Sequence, residues 1–330
     1  MISAEAIIAL AAQWRPDVLH AHSPALCGKA ALIALQNGTS SDEPTRLAEL
    51  LVPWLQALED RSEGINDAIS LGMRCVDDPL SGGPRRGELI VLGARPSTGK
   101  SALMINWLLS AAARGPVLAC SLEDSDMMML SRAVATCGRV NLADIRNPAR
   151  AMAPMWEGVT KGLEVLKAMQ IHVDDQPALT LREVRRKAQY VKSRSGDLLA
   201  VIVDYLQLME QPGDESRAYE LNRIVRGLKR MAKELGCAVI LLSQLSREAD
   251  KLEGPPRLDH LAESGGIEQA ADIIGLLWRE SRRKPTPHNK HSGQIEWAKN
   301  KNGPCDTVQL WFDGATQRWE SVASEAAYAA

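Results

Sequence analysis

The chain has 330 residues, 45% hydrophobic and 24% charged, which suits one substantial globular domain with a smaller one beside it. Its 39 Lys and Arg against 41 Asp and Glu leave a net charge of −2, so no global basic field draws it onto nucleic acid and any such contact is local. The six cysteines (Cys27, Cys75, Cys120, Cys137, Cys237, Cys305) form no CxxC pair, the N-terminus has no basic leader, and no run reaches the roughly 18 apolar residues that span a bilayer. The chain therefore reads as a soluble, cytoplasmic protein with reduced thiols.

Residues 1–61 read as a helical N-terminal region. The stretches 4–14 and 24–36 are rich in Ala and Leu, and 37–44 is a loop by composition. Leu47, Leu50, Leu51, Trp54, Leu55 and Leu58 then fall at helical spacing, an apolar stripe on a linker helix expected at 44–61 and interrupted by Pro53. This stripe either folds back on its own domain or docks on a neighbouring subunit. Residues 62–86, rich in Gly, Asp, Ser and Pro, read as a linker.

From Gly87 to the end, short apolar runs alternate with helical stretches, the signature of an α/β domain with a parallel core sheet flanked by helices. Parallel strands are expected at 88–93, 116–121, 170–173, 198–204, 238–243 and 272–278. Alternation at 294–301, 307–312 and 317–320 predicts antiparallel strands and a hairpin at the sheet's far edge. Thr180 and Glu183 form a capping box that opens a helix to about Arg194, and a second helix with Leu221, Ile224, Val225, Leu228, Met231, Ala232 and Leu235 on its apolar face stops at Gly236.

The run Ala94, Arg95, Pro96, Ser97, Thr98, Gly99, Lys100, Ser101 lies between a buried strand and a helix that continues at Ala102. It is the phosphate-loop pattern with Ala94 replacing the first glycine. Gly99 lets the backbone approach phosphate oxygens, and the helix N-terminus aims unpaired N–H groups at an anion. Lys100 supplies a charge for the β- and γ-phosphates of ATP, and the Ser101 hydroxyl is placed to ligate Mg²⁺.

Three further strands end in polar residues. Asp204 closes the apolar run from Leu198 and can hold Mg²⁺ through its water shell. Glu123 follows the run from Pro116, where it is either a general base for an attacking water or part of a helix N-cap with Asp124. Ser243 and Gln244 end a third strand, as a γ-phosphate sensor or a simple strand exit. Two basic clusters, from Arg182 to Arg194 and from Arg279 to His291, read as solvated faces, and no acid or cysteine set accompanies His288 and His291.

Taken in order, Ala94–Ser101, Ser121 to Glu123, Val203 to Met209 (VDYLQLM), Leu242 to Arg247 (LSQLSR) and Glu263 to Asp272 (ESGGIEQAAD) closely resemble the motifs of the DnaB-type replicative DNA helicases over roughly residues 75–320. The resemblance implies a RecA-like ATPase core, a six-membered homo-oligomeric ring with ATP between neighbours, 5′-to-3′ movement on single-stranded DNA and unwinding of the duplex ahead. It implies that Lys100, Ser101, Glu123, Gln244 and Asp204 act at one subunit's site, completed by Lys299 and Lys301 from the neighbour's hairpin. Lys301 stands where the family has an arginine finger. The family's DNA loop aligns with Glu263, Ser264, Gly265 and Gly266, preceded by Ala262 where an arginine is common. Family members carry a larger helical N-terminal domain than residues 1–61 here, so the chain reads as a short form; it shows no zinc ribbon or primase segment, so primase is expected on a separate chain, with a helicase loader as a further candidate partner. Two rivals stay open: a RecA-fold ATP switch without processive unwinding, and a degenerate helicase copy that binds a partner.

Overall fold

The computed structural model describes residues 44–63, 67–150, 153–210, 217–251, 253–261 and 265–322. The expected helices at 4–14 and 24–36, the loop before Pro44, and Ala262, Glu263 and Ser264 lie outside them. The chain divides into two compact units, one built mainly from residues up to Asp67 and one from Ala68 onward.

In the first unit a 3₁₀ turn, Leu47–Leu50, leads into helix α1, Leu51–Ser62. Pro53 does not interrupt it. Proline at the third helical position lacks only an N–H that would have no intrahelical partner anyway. None of the α1 residues is buried, and Leu47, Leu50, Leu51, Trp54 and Leu58 are exposed.

The second unit is a nine-stranded sheet of order β3-β2-β4-β5-β1-β6-β7-β8-β9. Its parallel strands are β1 (Leu89–Ala94), β2 (Val117–Ser121), β3 (Ile171–Asp174), β4 (Ala200–Asp204), β5 (Ala238–Gln244) and β6 (Ile273–Trp278). The antiparallel edge is β7 (Ser292–Asn300), β8 (Thr307–Asp313) and β9 (Arg318–Ser321). Strands β1, β2 and β4 are buried at every position, as befits parallel strands covered on both faces, whereas β7 and β8 alternate.

The helices of this unit are α2 (Arg74–Asp77), α3 (Lys100–Ala112), α4 (Asp126–Gly138), α5 (Leu142–Arg146), α6 (Ala153–Lys167), α7 (Leu181–Ser195), α8 (Arg217–Leu235) and α9 (Gly265–Ala270). The capping box of Thr180 and Glu183 opens α7 with both reciprocal bonds made, and Gly236 follows α8 at φ 61°. Helix α3 buries nine of its thirteen residues, and its Trp107 stacks on Trp297 of β7 at 6.5 Å between ring centroids.

The segment 68–86, whose composition reads as linker, belongs to this core. Ile69, Leu71, Val76 and Leu80 are buried in the main apolar cluster. Asp77 makes this fold-back hold: its carboxylate accepts from the Leu71 N–H at 2.8 Å and the Ser70 hydroxyl at 2.6 Å. Burial pushes its carboxyl up from the ordinary range, opposed by these hydrogen bonds and by the Arg114 charge. Asp77→Ala strands the buried Leu71 N–H and is expected to destabilise the unit by about 1–3 kcal/mol, read as a lowered denaturation midpoint.

Candidate nucleotide site

Strand β1 delivers the chain to the loop and α3 takes it away. Ala94 is still strand and its φ is not positive, so a Cβ is tolerated where the family pattern has glycine. Arg95 turns aside, gripping both oxygens of Asp250 at 3.0 and 2.5 Å and donating to the Leu245 carbonyl, so only its backbone faces the loop. Pro96 and Ser97 are exposed, Ser97 at φ 62°. Thr98 closes the turn by donating its hydroxyl to the Arg95 carbonyl at 2.7 Å.

Gly99 is required twice over. Its φ is 102°, which L side chains rarely adopt, and a Cβ there would stand 2.9 Å from Trp319 Cζ2. Trp319 holds the same residue by donating its indole N–H to the Gly99 carbonyl at 3.1 Å. Gly99 is also the N-cap of α3, with no side chain capping it, so the first-turn N–H groups, including that of Ala102, remain available to an anion.

Asp204, 1% exposed at the end of β4, is where the side chains converge. Ser101 donates its hydroxyl to Oδ2 at 3.1 Å, and the Lys100 ammonium stands 3.1 Å from Oδ1 and 4.2 Å from the centre of the Tyr205 ring. The Lys100 contact is one of charge, off the hydrogen-bonding direction, so Oδ1 is buried with no hydrogen-bond donor among the described residues. A buried oxygen awaiting a partner, beside a serine hydroxyl and a lysine, fits the water shell of Mg²⁺ at a phosphate site.

Glu123 lies just beyond β2, whose Ser121 pairs in register with Asp204. It is exposed and makes no hydrogen bond or ion pair among the described residues. The alternative N-cap role is filled otherwise. Ser125 caps α4 by accepting from Met128 N–H, and Asp124 pairs with Arg132 at 3.0 Å. Burial, and then the Glu123 and Asp204 charges, push the Tyr205 phenol up, which puts Glu123 within electrostatic reach of the site.

Between β4 and β1 lies β5, with Ser243 and Gln244 at its end. Gln207, in the 3₁₀ turn after β4, donates to Ser243 Oγ at 3.0 Å and accepts from the Gln244 N–H at 3.0 Å. This clamp leaves the Gln244 side chain unengaged among the described residues. The next residue, Leu245, forms an antiparallel bridge with Leu261, the residue that precedes Ala262 in sequence. Gly265 is exposed, and Gly266 is buried so closely on α8 that a Cβ would stand 1.6 Å from Asn222 Oδ1.

Lys299 and Lys301 are elsewhere. Lys299 donates to the carbonyls of Glu268 and Ala271, and Lys301 pairs with Asp272 Oδ1 at 3.0 Å. Asp272 accepts from Leu89 N–H, at the start of β1, while the phosphate loop follows its end. The length of a six-residue strand, about 16 Å, separates them. The two lysines therefore do not join the site of their own chain.

Sequence reasoning missed Gln207, Tyr205 and Trp319 as parts of the site. The first two sit inside the VDYLQLM run, where spacing alone shows no role for them, and Trp319 has no local signal at all. Of the basic clusters, Lys187 is paired with Asp174, and Arg279 lies over the Phe312 ring at 4.6 Å and donates to the Lys290 carbonyl.

Residues 68–321 match the DnaB-like helicase C terminal domain family. The chain is 34% identical over 303 residues to the replicative DNA helicase DnaB of Pasteurella multocida, covering 89% of this chain and 64% of that protein. It is 35% identical over 240 residues to the DnaB of Geobacillus stearothermophilus, covering 71% of this chain and 52% of that protein. The chain thus spans about half to two thirds of the length of these curated relatives. Among solved structures, one described as an ATPase domain superposes with a TM-score of 0.78 at 28% identity, over 85% of this chain and all of that one. A DnaB-like replicative helicase studied with its primase interactions superposes at 0.76 and 26% identity, over 89% of this chain and 71% of that one. With its RecA-like sheet and its phosphate loop in place, the chain belongs to the DnaB-like helicase C-terminal domain family.

Proposed function

We propose that this protein is an ATP-dependent replicative DNA helicase, a ring that moves along single-stranded DNA and hydrolyses ATP at its subunit interfaces. The observation that carries it is the split between Lys100, Ser101, Asp204 and Glu123 at one end of the sheet and Lys299 and Lys301 at the other. Such a division would complete a site only between two copies in a head-to-tail arrangement, and closure into a ring of six is the arrangement the family resemblance implies.

Within one subunit the N–H groups at the start of α3, from Gly99 to Ala102, and the Lys100 ammonium hold the β- and γ-phosphates cradled by the loop 94–98, and Ser101 and Asp204 are the residues that would hold Mg²⁺. Bound there, Mg²⁺ supplies charge neutralisation for the phosphate oxygens. Glu123 accepts the proton of the attacking water, its carboxylate being free to do so. The Gln244 side chain meets the γ-phosphate, and its connection through Leu245 to Leu261 passes the change to the DNA loop of Glu263, Ser264, Gly265 and Gly266. Backbone contacts to phosphate there suit movement over any sequence. The neighbour's Lys299 and Lys301 balance the charge that develops in transfer.

The exposed stripe of α1 is read as the surface of a linker helix that docks on the next subunit. A primase on a separate chain and a loader are the expected partners; a structural relative is described with its primase interactions. Among the described residues no helix is long and apolar enough to cross a membrane, and the cytoplasm is the proposed compartment.

The test is steady-state ATP hydrolysis with and without single-stranded DNA, together with unwinding of a forked duplex. Turnover is expected to rise with DNA, and Glu123→Gln to lower kcat by about 10²–10⁴ with ATP still bound. Turnover indifferent to DNA would instead mark a switch, and no turnover in an assembled ring would mark a partner-binding copy.

A further inference from the structure

Lys301 is a lysine at the tip of a hairpin, and a lysine is a point charge on a flexible stem without the planar fork of arginine. Something must therefore aim it, and the fold supplies one residue in place. Asp272, at the end of the α9 segment, is buried, and its Oδ2 is fixed by the Leu89 N–H at 2.8 Å and the Lys229 ammonium at 2.5 Å. Lys229 in turn donates to the Gly87 carbonyl at 2.7 Å, so the carboxylate is anchored to β1 and α8 together. Among the described residues Oδ1 takes Lys301 alone, at 3.0 Å. The Asp272 carbonyl also accepts from the Lys301 N–H at 3.1 Å, so one residue holds both ends of the lysine.

The rest of the hairpin turn is braced around that contact. Asn300 donates to the carbonyls of Pro79 and Pro304 at 2.9 and 3.1 Å, and Asn302 donates to Glu88 at 2.6 Å. The Lys301 side chain nevertheless remains 46% exposed. Its ammonium has three donors, of which Asp272 uses one. Lys229 and Lys301 together exceed the single carboxylate by one positive charge, and the exposed member of the pair is Lys301.

We propose that Asp272 is a positioning residue for Lys301, holding the ammonium by one donor so that the other two are presented to the neighbouring subunit's phosphate. This rests on the reading that Lys301 acts at the neighbour's site. Burial alone would push the Asp272 carboxyl up; the hydrogen bonds from Lys229, Leu89 and Lys301 outweigh it and hold the group ionised, below the ordinary carboxylate range. Next to this contact Lys299 donates to the carbonyls of Glu268, in α9, and Ala271, so the hairpin is tied to the segment before Asp272 by a second lysine.

The experiment is a double-mutant cycle on DNA-stimulated ATP hydrolysis by assembled rings, with Asp272→Asn, Lys301→Gln and the pair together. Asp272→Asn is expected to lower kcat about 10- to 100-fold with KM for ATP within about twofold, since misplacing an acting group by an ångström costs rates of that size. In the Lys301→Gln background it is expected to lower kcat no further. Additive losses, or a kcat for Asp272→Asn equal to the unmodified ring's, would overturn the positioning role while leaving the neighbour-site reading intact. A Lys301→Gln ring with unchanged kcat would remove the neighbour-site reading, and the positioning role with it. Where Asp272→Asn fails to assemble, Asp272→Glu keeps the charge but moves it by one methylene. The same non-additivity with Lys301→Gln is then expected, and additivity counts against the role.

Discussion

Lys100→Ala is expected to lower ATP turnover by at least about 10³-fold, with or without single-stranded DNA. Loss of one neutral hydrogen-bond donor at a developing oxyanion costs about 10²–10³ in rate, and Lys100 carries a full charge in a site that is largely shielded from water. The side chain has no second task to mask the result, because its charged end meets only Asp204 and the Tyr205 ring among the described residues. A confounding effect is foreseeable: removing one partner of a buried pair destabilises by about 3–5 kcal/mol when the remaining charge is uncompensated. Here Ser101 still donates to Asp204, which softens the loss. Melting temperature and ring assembly measured beside turnover separate the two effects. A folded Lys100→Ala ring that keeps a tenth or more of the turnover would show that the phosphate loop is not the site of hydrolysis.

The second large effect is expected at the other end of the sheet. Lys301→Gln should cut kcat by roughly 10³, the lower end of what a finger in trans is worth, since a lysine gives charge without the bidentate fork. The informative measurement is mixing. Lys301→Gln subunits keep an intact loop and Lys100→Ala subunits keep an intact hairpin, so mixed rings rebuild whole sites wherever the right faces meet. Random assembly makes about a quarter of the interfaces whole in a head-to-tail ring, and turnover of up to that share of the unmodified level is expected from two nearly inactive proteins. A mixture no better than the average of its parts would mean that each lysine serves its own chain, against the strand's length that separates Lys301 from the loop.

The apolar runs that became β1, β2, β4, β5 and β6 were legible to within a residue or two, because parallel strands covered on both faces need uninterrupted hydrophobic sequence. The capping box at Thr180, the stop at Gly236 and the phosphate loop were equally plain, since each is written in residues a few positions apart. Residues 68–86 were not: their Gly, Asp and Pro content matches a linker, and only the cap that Asp77 places on Ser70 and Leu71 turns them into core. Pro53 looked like a break until its position in the first turn of α1 was known.

The site divides the same way. The proposed site residues were legible in sequence as expectations, Lys100 and Ser101 at the start of a helix behind a phosphate-loop pattern, Glu123 and Asp204 at strand ends, where phosphate, proton and metal chemistry would need those side chains. The contacts that brace the loop, the neighbouring strand end and the hairpin were decided by tertiary structure alone: Trp319 against Gly99 across 220 positions, Gln207 clamping the end of β5 across 37, and Asp272 on Lys301 across 29. Local sequence determines periodicity, capping and turn chemistry because those forces act between near neighbours. Which distant side chain meets which is settled only when the strands pair, and the antiparallel return of β7 along β6 is what carries the two lysines to the end of the sheet opposite the phosphate loop.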